Sequence, residues 1–215
     1  MTRLLCLDTT AAHCAVALID GKKVLSSNKE PMTKGQAERL FPMIDETLQT
    51  AGLSLKDLDA ISVATGPGNF TGVRICVSAA RGLALSLGIP AIGVSCLEAL
   101  AYGHTGDVLA VLDARADHVY YQIFCDPKMP KDPTHMPRSE LTQAVGPVDM
   151  CVGFNAADIA AELGAAASSE QMPAPEIYGF IAQTKDWTSE PRPAPLYLRS
   201  PDAALPSEPA PHIIP

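Results

Sequence analysis

A short apolar strand that runs directly into a glycine-rich loop and then into a helix constrains this chain more than any other feature. Residues 60–65 are apolar or small, residues 66–72 contain three glycines, and apolar residues recur at helical spacing over residues 73–87, before Gly88. Strand, loop and helix in this order predict an α/β fold.

The glycine loop has two interpretations. Three glycines before a helix N-terminus let the backbone approach an anion such as a phosphate closely. A P-loop needs Lys and then Ser or Thr directly after its last glycine, whereas Val73 and Arg74 follow it here. The residues therefore favour a tight structural turn built on Gly66, Gly68 and Gly72.

Hydrophobic patterning predicts the other elements. Strands are expected at residues 4–7, 14–19, 24–26, 91–94, 108–112, 119–124 and 150–153. Helices are expected at residues 36–50, 73–87, 96–102 and 156–163. Asp20 and Gly21 predict a hairpin turn. Thr33 and Gln36 predict a capping box at the first helix, and Pro42 predicts a kink within it.

These elements divide into an N-terminal domain (1–103), a smaller C-terminal domain (104–190) and a tail (191–215). Residues 126–147 carry five prolines and mixed charge, which predict a loop. The pattern fades beyond residue 171. Eight prolines in the last 25 residues predict an extended or disordered tail.

Composition narrows the function classes. Sixteen Lys and Arg against 24 Asp and Glu give a net charge of −8, which excludes a basic surface for nucleic-acid phosphates. The first apolar run ends at Asp8 and no uncharged apolar stretch is long enough to span a bilayer, so we expect a cytoplasmic protein without membrane contact. The six cysteines have no paired spacing and are interpreted as reduced core residues.

Two polar segments could carry chemistry. Asp8, Thr9 and Thr10 follow the first strand, where they could hold a phosphate or a hydrated Mg²⁺ ion, but a turn capped by its own side chains explains them as well. Residues 113–117 contain Asp, Arg and Asp and are interpreted as a solvated, salt-bridged turn. The residues favour the structural interpretation of both segments.

The inventory for nucleophilic or metal chemistry is poor. The five histidines never pair at helical ligand spacing, and no serine lies in a G-x-S-x-G motif. Ser95 and Glu98 are better explained as a helix capping box than as a nucleophile and a base. We therefore assign no catalytic and no metal-binding residues.

The helix over residues 73–87 is apolar on most of its circumference, and only Arg74, Ser78 and Arg81 make a polar line. Such a helix needs cover on two sides. A sheet supplies one cover, and the second is either the helix over residues 36–50 or another protein chain.

Five segments carry a family resemblance. They are LCLDTT (5–10), QAERLFP (36–42), GPGNFTGVR (66–74), DAR (113–115) and PLYLR (195–199). Together they closely resemble bacterial TsaB, also called YeaZ, over residues 1 to about 124 and in the tail. The resemblance implies an actin-like (ASKHA, ribonuclease H-like) fold of two domains with mixed sheets flanked by helices.

The resemblance also implies a role. In that family TsaB is a non-catalytic scaffold for making threonylcarbamoyladenosine next to the tRNA anticodon, with the paralogue TsaD as catalytic subunit and TsaE as ATPase partner. TsaD-like proteins carry two metal-binding histidines four residues apart, where this chain has Cys96 and Leu100. Actin-like folds have Gly in the first phosphate motif, where this chain has Thr9. These departures imply that the chain has no cofactor of its own, and at most a weak remnant site at Asp8, Thr9 and Thr10. The resemblance places any ATP or ADP at the interface of the complex.

The resemblance implies that the two N-terminal-domain helices bind the TsaD-like subunit, and that tRNA is reached only indirectly. The same helices could instead pair two copies of the chain. The expected partner-binding residues lie on these helices and in the tail: Glu38, Leu40, Phe41, Met43, Arg74, Val77, Ser78, Arg81 and Tyr197. The alternative function is an autonomous ATP-dependent transferase or a glycoprotease-like peptidase.

Overall fold

The computed structural model describes residues 2–125 and 130–199, which form two five-stranded sheets flanked by six α-helices. Each sheet is mixed, with an antiparallel hairpin extended by parallel strands. Short strands alternating with helices predicted this class of architecture from the sequence.

The first sheet has the strand order β3-β2-β1-β4-β5. Its strands are β1 (Arg3–Asp8), β2 (His13–Asp20), β3 (Lys23–Pro31), β4 (Ala60–Ala64) and β5 (Ala91–Val94). The predicted hairpin turn is confirmed, with Gly21 at φ 59° between β2 and β3. Strand β3 is longer than the predicted 24–26, because its polar residues pair along the whole edge of β2.

Helices α1 (Gln36–Thr50) and α2 (Phe70–Leu87) cover one face of this sheet. Alternate residues of β1, such as Leu5 and Leu7, face these helices, while Leu4 and Cys6 face the opposite side. This alternation buries both faces of the first sheet.

Two helix starts differ from the predictions. The residue before α1 is Gly35 in a left-handed conformation with no side-chain cap, so the predicted capping box at Thr33 and Gln36 is wrong. Helix α1 is continuous through Pro42. Helix α2 begins at Phe70 rather than residue 73, because Asn69 Oδ1 accepts hydrogen bonds from the first free backbone amides of the helix.

The second sheet has the strand order β10-β9-β6-β7-β8. Its strands are β6 (Asp107–Asp113), β7 (His118–Cys125), β8 (Thr134–Pro137), β9 (Met150–Gly153) and β10 (Ala166–Ala167). Helices α4 (Leu141–Ala144) and α5 (Ala156–Leu163) pack on its outer face. The loop predicted over residues 126–147 is wrong where β8 and α4 lie. The prolines in and around β8 obscured its pairing with β7, and the shortness of α4 obscured the burial of Leu141.

Helices α3 (Cys96–Ala101) and α6 (Pro175–Ala182) belong to the core that also holds the inner faces of the two sheets. Helix α6 follows the second sheet in sequence but packs on the first sheet. Gly179 makes this possible, because a Cβ there would collide with Cys6 and Ile19. The predicted domain limits of 1–103 and 104–190 stay a prediction. Helix α6 lies within residues 104–190 but packs on the sheet formed by residues 1–103. The predicted extended or disordered tail lies mainly in residues 200–215, outside the described part of the chain.

Candidate functional site

The glycine loop lies directly against the turn that follows β1. Asn69 donates its backbone N–H to the Thr10 carbonyl at 2.6 Å, and the Thr9 hydroxyl donates to the Gly72 carbonyl at 2.6 Å. A Cβ at Gly68 would collide with the carbonyl of Thr10, and one at Gly72 with that of Thr9. Only glycine permits this close approach of two backbones.

Asp8 lies at the centre of a buried polar cluster beside this contact. Its Oδ1 accepts hydrogen bonds from the Thr10 amide at 2.8 Å and the Thr10 hydroxyl at 2.6 Å. Its Oδ2 accepts from the Tyr178 hydroxyl at 3.1 Å. His13 Nε2 lies 3.0 Å from the same Oδ2 but is not aligned for a hydrogen bond. Cys96 Sγ lies 3.3 Å from the Thr10 hydroxyl oxygen.

The electrostatics of the cluster follow from burial and from these contacts. Burial disfavours a charged Asp8, but His13 and the hydrogen bonds from Thr10 outweigh it and hold the pKa of Asp8 below its ordinary value of 3.8. Burial raises the pKa of the Cys96 thiol to about 12. Burial and the neighbouring Asp8 charge raise the pKa of Tyr178 well above 10. At neutral pH the cluster therefore holds one carboxylate among neutral sulfur and hydroxyl groups.

The arrangement does not fit a phosphate or hydrated magnesium site at Asp8, Thr9 and Thr10. All three residues are at most 1% exposed, and both hydroxyl protons are donated within the chain. An incoming phosphate would have to displace internal hydrogen bonds and the glycine loop. ATP or ADP at the interface of a complex stays a prediction.

The turn between β6 and β7 is exposed at Asp113, Arg115 and Asp117. The Asp113 carboxylate accepts a hydrogen bond from the Arg115 amide at 2.9 Å, which caps the turn locally. Arg115, Ala116 and Asp117 all have positive φ. Among the described residues none of the three charged side chains forms an ion pair, so the turn is solvated but not salt-bridged.

The predicted partner-binding residues of α1 and α2 separate into two groups. Leu40, Met43 and Val77 are 0–2% exposed and pack into the chain's own core against the first sheet. Their assignment to a partner surface is therefore corrected: helical spacing alone did not distinguish the sheet-facing side from the outer side. The exposed group comprises Glu38, Phe41, Arg74, Ser78, Arg81 and Tyr197. We call these six residues the docking face.

Large exposed apolar side chains are concentrated on these two helices. Of the six in the described chain, Phe41 (51% exposed), Phe70 (52%) and Leu85 (83%) lie on α1 or α2, and Tyr197 (48%) packs against α2. Isolated exposed apolar residues are ordinary in proteins, but such a concentration is typical of an interaction surface.

The tail contributes to this surface through Arg74. The Arg74 guanidinium lies 3.7 Å from the centre of the Phe70 ring, and its Nε donates to the Tyr197 hydroxyl at 2.7 Å. The Leu196 amide donates to the Thr65 carbonyl at 2.8 Å, which fixes the tail at the end of β4. These contacts hold Tyr197 beside the start of α2.

Helix α3 carries Cys96 and Leu100, both fully buried. Ser95 caps this helix by accepting from the Leu97 amide, while Glu98 pairs with Lys185 at 3.2 Å instead of completing the predicted capping box. Within residues 2–125 and 130–199, no group of three or more His, Cys, Asp or Glu side chains is arranged to hold a metal ion.

Helix α2 is the one helix of the described chain that is long and apolar enough to cross a membrane, judged by length and composition. Core helices of globular proteins pass the same test. Here α2 packs on the first sheet through residues such as Val73 and Ala80.

The sequence and the fold of this chain were compared with those of known proteins. A family model described as TsaD, tRNA N6-adenosine threonylcarbamoyltransferase, matches residues 26–125. The Escherichia coli (strain K12) tRNA threonylcarbamoyladenosine biosynthesis protein TsaB is 40% identical over 124 residues, which are 55% of this chain and 53% of that protein. An uncharacterized protein of Mycobacterium tuberculosis (strain ATCC 25618 / H37Rv) is 36% identical over 171 residues, which are 79% of this chain and 78% of that protein.

The solved structure of YeaZ from Pseudomonas aeruginosa superposes with a TM-score of 0.74 at 29% identity, covering 92% of this chain and 100% of that one. The chain belongs to the TsaB (YeaZ) family. The predicted actin-like fold of two mixed sheets flanked by helices is thereby confirmed. The sequence alignment spans about half the length of the curated TsaB relative from Escherichia coli.

Sequence reasoning about this TsaB-family chain missed two participants in its central cluster, Tyr178 and His13. Tyr178 lies in α6, where the pattern was interpreted as fading. Pro175 in the first helical turn, followed by apolar Ile177, Tyr178 and Ile181, is the signal that marks this helix. His13 left no signal, because its proximity to Asp8 depends on the pairing of β1 with β2.

Proposed function

We propose that this chain is a non-catalytic accessory subunit in the biosynthesis of threonylcarbamoyladenosine in tRNA. The observation that carries the proposal is the combination of family membership with an α3 helix that presents Cys96 and Leu100 where TsaD-like proteins place two histidines. Leucine cannot ligate a metal, and the Cys96 thiol is buried and protonated. The contribution of the chain to the reaction is therefore structural.

The subunit acts by binding a TsaD-like catalytic subunit through the docking face. Phe41 and Tyr197 supply half-exposed aromatic rings, the kind of side chain that anchors protein interfaces. Arg74 and Arg81 add guanidinium groups, which are also enriched at interfaces. Five of the six residues lie on α1 and α2, whose opposite sides are fixed to the first sheet, and Arg74 holds the sixth, Tyr197, beside α2, so little order has to be gained on binding.

A TsaE-like ATPase joins this assembly as a further partner, and tRNA is held by basic surfaces of the partners. The net charge of −8 supports the assignment of tRNA binding to the partners, since this chain has no excess of cationic side chains for a phosphate backbone. The subunit works in the cytoplasm, needs no cofactor of its own, and any ATP or ADP binds where subunits meet.

An autonomous transferase or peptidase has less support. Asp8, the one carboxylate at the position of the first phosphate motif, is 1% exposed and fully engaged in hydrogen bonds. Turnover of ATP or a peptide by the isolated chain, lost in an Asp8→Ala variant, would favour this alternative.

The proposal is tested by light scattering after size exclusion, with this chain alone and mixed with the TsaD-like protein of the same organism. We expect a heteromeric peak for the wild-type chain and its loss in Phe41→Asp. Tyr102→Asp is the matched control, because Tyr102 is a similarly exposed ring (45%) away from α1 and α2. A full-strength complex with Phe41→Asp would overturn the placement of the docking face. A homodimer that persists in the mixture would assign the face to a second copy.

A further inference from the structure

An open groove of about 500 Å³ lies at the C-terminal end of α2, outside the cluster around Asp8. Leu85 lines it and is 83% exposed, more than any other large apolar side chain of the described chain. Trp187 and Pro193 line the groove as well. A leucine this exposed is buried only when another molecule covers it, so the groove has the character of a docking site.

The segment that carries Trp187 is held in place by the chain itself. The Trp187 indole N–H donates to the Ala182 carbonyl at 2.7 Å. Two residues earlier, the Lys185 ammonium donates to the Gly93 carbonyl at 3.1 Å and pairs with Glu98 at 3.2 Å. A wall that is already ordered loses little conformational entropy when a partner packs on it. The groove is therefore a preformed surface.

The groove carries an excess of positive charge. Arg81 and Arg192 line it, against one carboxylate, Glu190. No ion pair between described residues involves any of these three side chains. A carboxylate brought by a partner would therefore meet guanidinium groups that no carboxylate of the described chain occupies. The chemistry that fits the groove is an apolar side chain with an Asp or Glu beside it.

The groove continues the docking face along α2. Arg74, Ser78 and Arg81 of the docking face are spaced by four and three residues, and Leu85 follows four residues later. This spacing places the four exposed side chains along one side of the helix, and Arg81 belongs to both surfaces. From Arg74 to Leu85 the helix rises by about 16 Å, at 1.5 Å per residue. A partner that follows the docking face for three helical turns therefore reaches the groove.

We propose that the partner bound at the docking face also fills this groove. The partner packs an apolar side chain against Leu85 and Trp187. A neighbouring carboxylate of the partner pairs with Arg81 and Arg192. The inference rests on the proposed function, since it takes the subunit bound at the docking face as the occupant. It adds a second anchoring site at the far end of α2 and the chemistry of the partner segment that this site selects.

The test measures the Kd of the complex with the TsaD-like protein of the same organism by isothermal titration calorimetry. Arg192→Glu is expected to weaken binding roughly ten-fold, because it places a carboxylate against the carboxylate of the partner. Leu85→Asp should weaken binding roughly thirty-fold or more, as the loss of an interface anchor does. Lys131→Glu is the matched control, because it makes the same charge change at an exposed site beside β7 of the second sheet and should leave Kd unchanged.

A reporter inside the groove makes the test direct. Trp187 is the only tryptophan of the chain, so the chain labelled with fluorotryptophan gives one fluorine NMR signal. The unlabelled partner should shift this signal in the wild-type chain and in Lys131→Glu. Leu85 and Arg192 are exposed, so both groove variants should keep the wild-type far-UV circular dichroism spectrum.

The outcomes separate this inference from the proposed function. A wild-type complex whose Kd is unchanged by both groove variants, or whose Trp187 signal does not move, would overturn the inference and leave the proposed function standing. No complex with the wild-type chain would overturn both. A Trp187 signal that shifts with the concentration of the labelled chain alone would overturn the inference in favour of a second copy as the occupant.

Discussion

Removing the Tyr178 hydroxyl tests whether the buried cluster around Asp8 stabilises the fold. The change Tyr178→Phe keeps the ring in the core but removes the donor to Asp8 Oδ2 at 3.1 Å. Hydrogen bonds to charged groups contribute about 1.5–3 kcal/mol. The Tyr178 bond is longer than the strongest bonds of this class, so we expect a loss of about 2 kcal/mol in the free energy of unfolding. For a chain of this size that corresponds to about 4–8 °C in Tm.

The assay is urea denaturation followed by circular dichroism at neutral pH. The matched control is Tyr197→Phe, because the Tyr197 hydroxyl accepts a hydrogen bond from Arg74 at a half-exposed site. We expect that control to cost about 0.5 kcal/mol or less, since water replaces an exposed partner. Equal losses in the two variants, or a loss below about 0.5 kcal/mol for Tyr178→Phe, would show that the Tyr178 hydroxyl does not stabilise the charged Asp8.

Three further predictions concern stability. The pKa of Asp8 in the folded chain lies below 3.8. Its charged carboxylate therefore adds to the free energy of unfolding above pH 4, and this stabilisation is lost as pH falls through the folded pKa. Asp8→Asn should flatten the acid side of the stability curve measured by urea titration between pH 2 and 6. Gly72→Ala should lower the free energy of unfolding by about 4 kcal/mol or more, because the added Cβ collides with the Thr9 carbonyl. Gly82 has open space around it, so Gly82→Ala should raise the free energy of unfolding by about 0.5–1 kcal/mol. Thermal unfolding measures both changes. Val77→Asp should abolish the folded circular dichroism spectrum while Ser78→Asp retains it, and folded Val77→Asp would contradict the core placement.

The first sheet could be predicted from sequence because its information is local. Alternating apolar residues mark β1 and β2, and Gly21 marks the turn between them. The pairing that forms the cluster could not be predicted, because Tyr178 meets Asp8 across 170 positions of the chain. Periodicity identified α2 as apolar on most sides and placed Ser78 on its polar line, but only packing shows that Val77 faces the chain's own core and not a partner.

The resemblance supplied the family, and the structure supplied the orientation of its helices. The predicted loop over residues 126–147 failed for a physical reason, since β8 is a four-residue edge strand that ends at Pro137 and is recognisable only by its pairing with β7. Val73 and Arg74 distinguish the sequence of the glycine loop from a P-loop motif, but the reason for its glycines lies in the backbone of Thr9 and Thr10.

We propose that this chain supports threonylcarbamoyladenosine formation without performing catalysis itself. The most direct measurement is nucleoside mass spectrometry of tRNA after reaction with ATP, an activated threonylcarbamoyl donor, this chain, a TsaD-like protein and a TsaE-like protein. We expect modified adenosine only when all three proteins are present, its loss with Phe41→Asp, and its retention with Tyr102→Asp. Modified adenosine formed without this chain, or formed equally well with Phe41→Asp, would contradict the account.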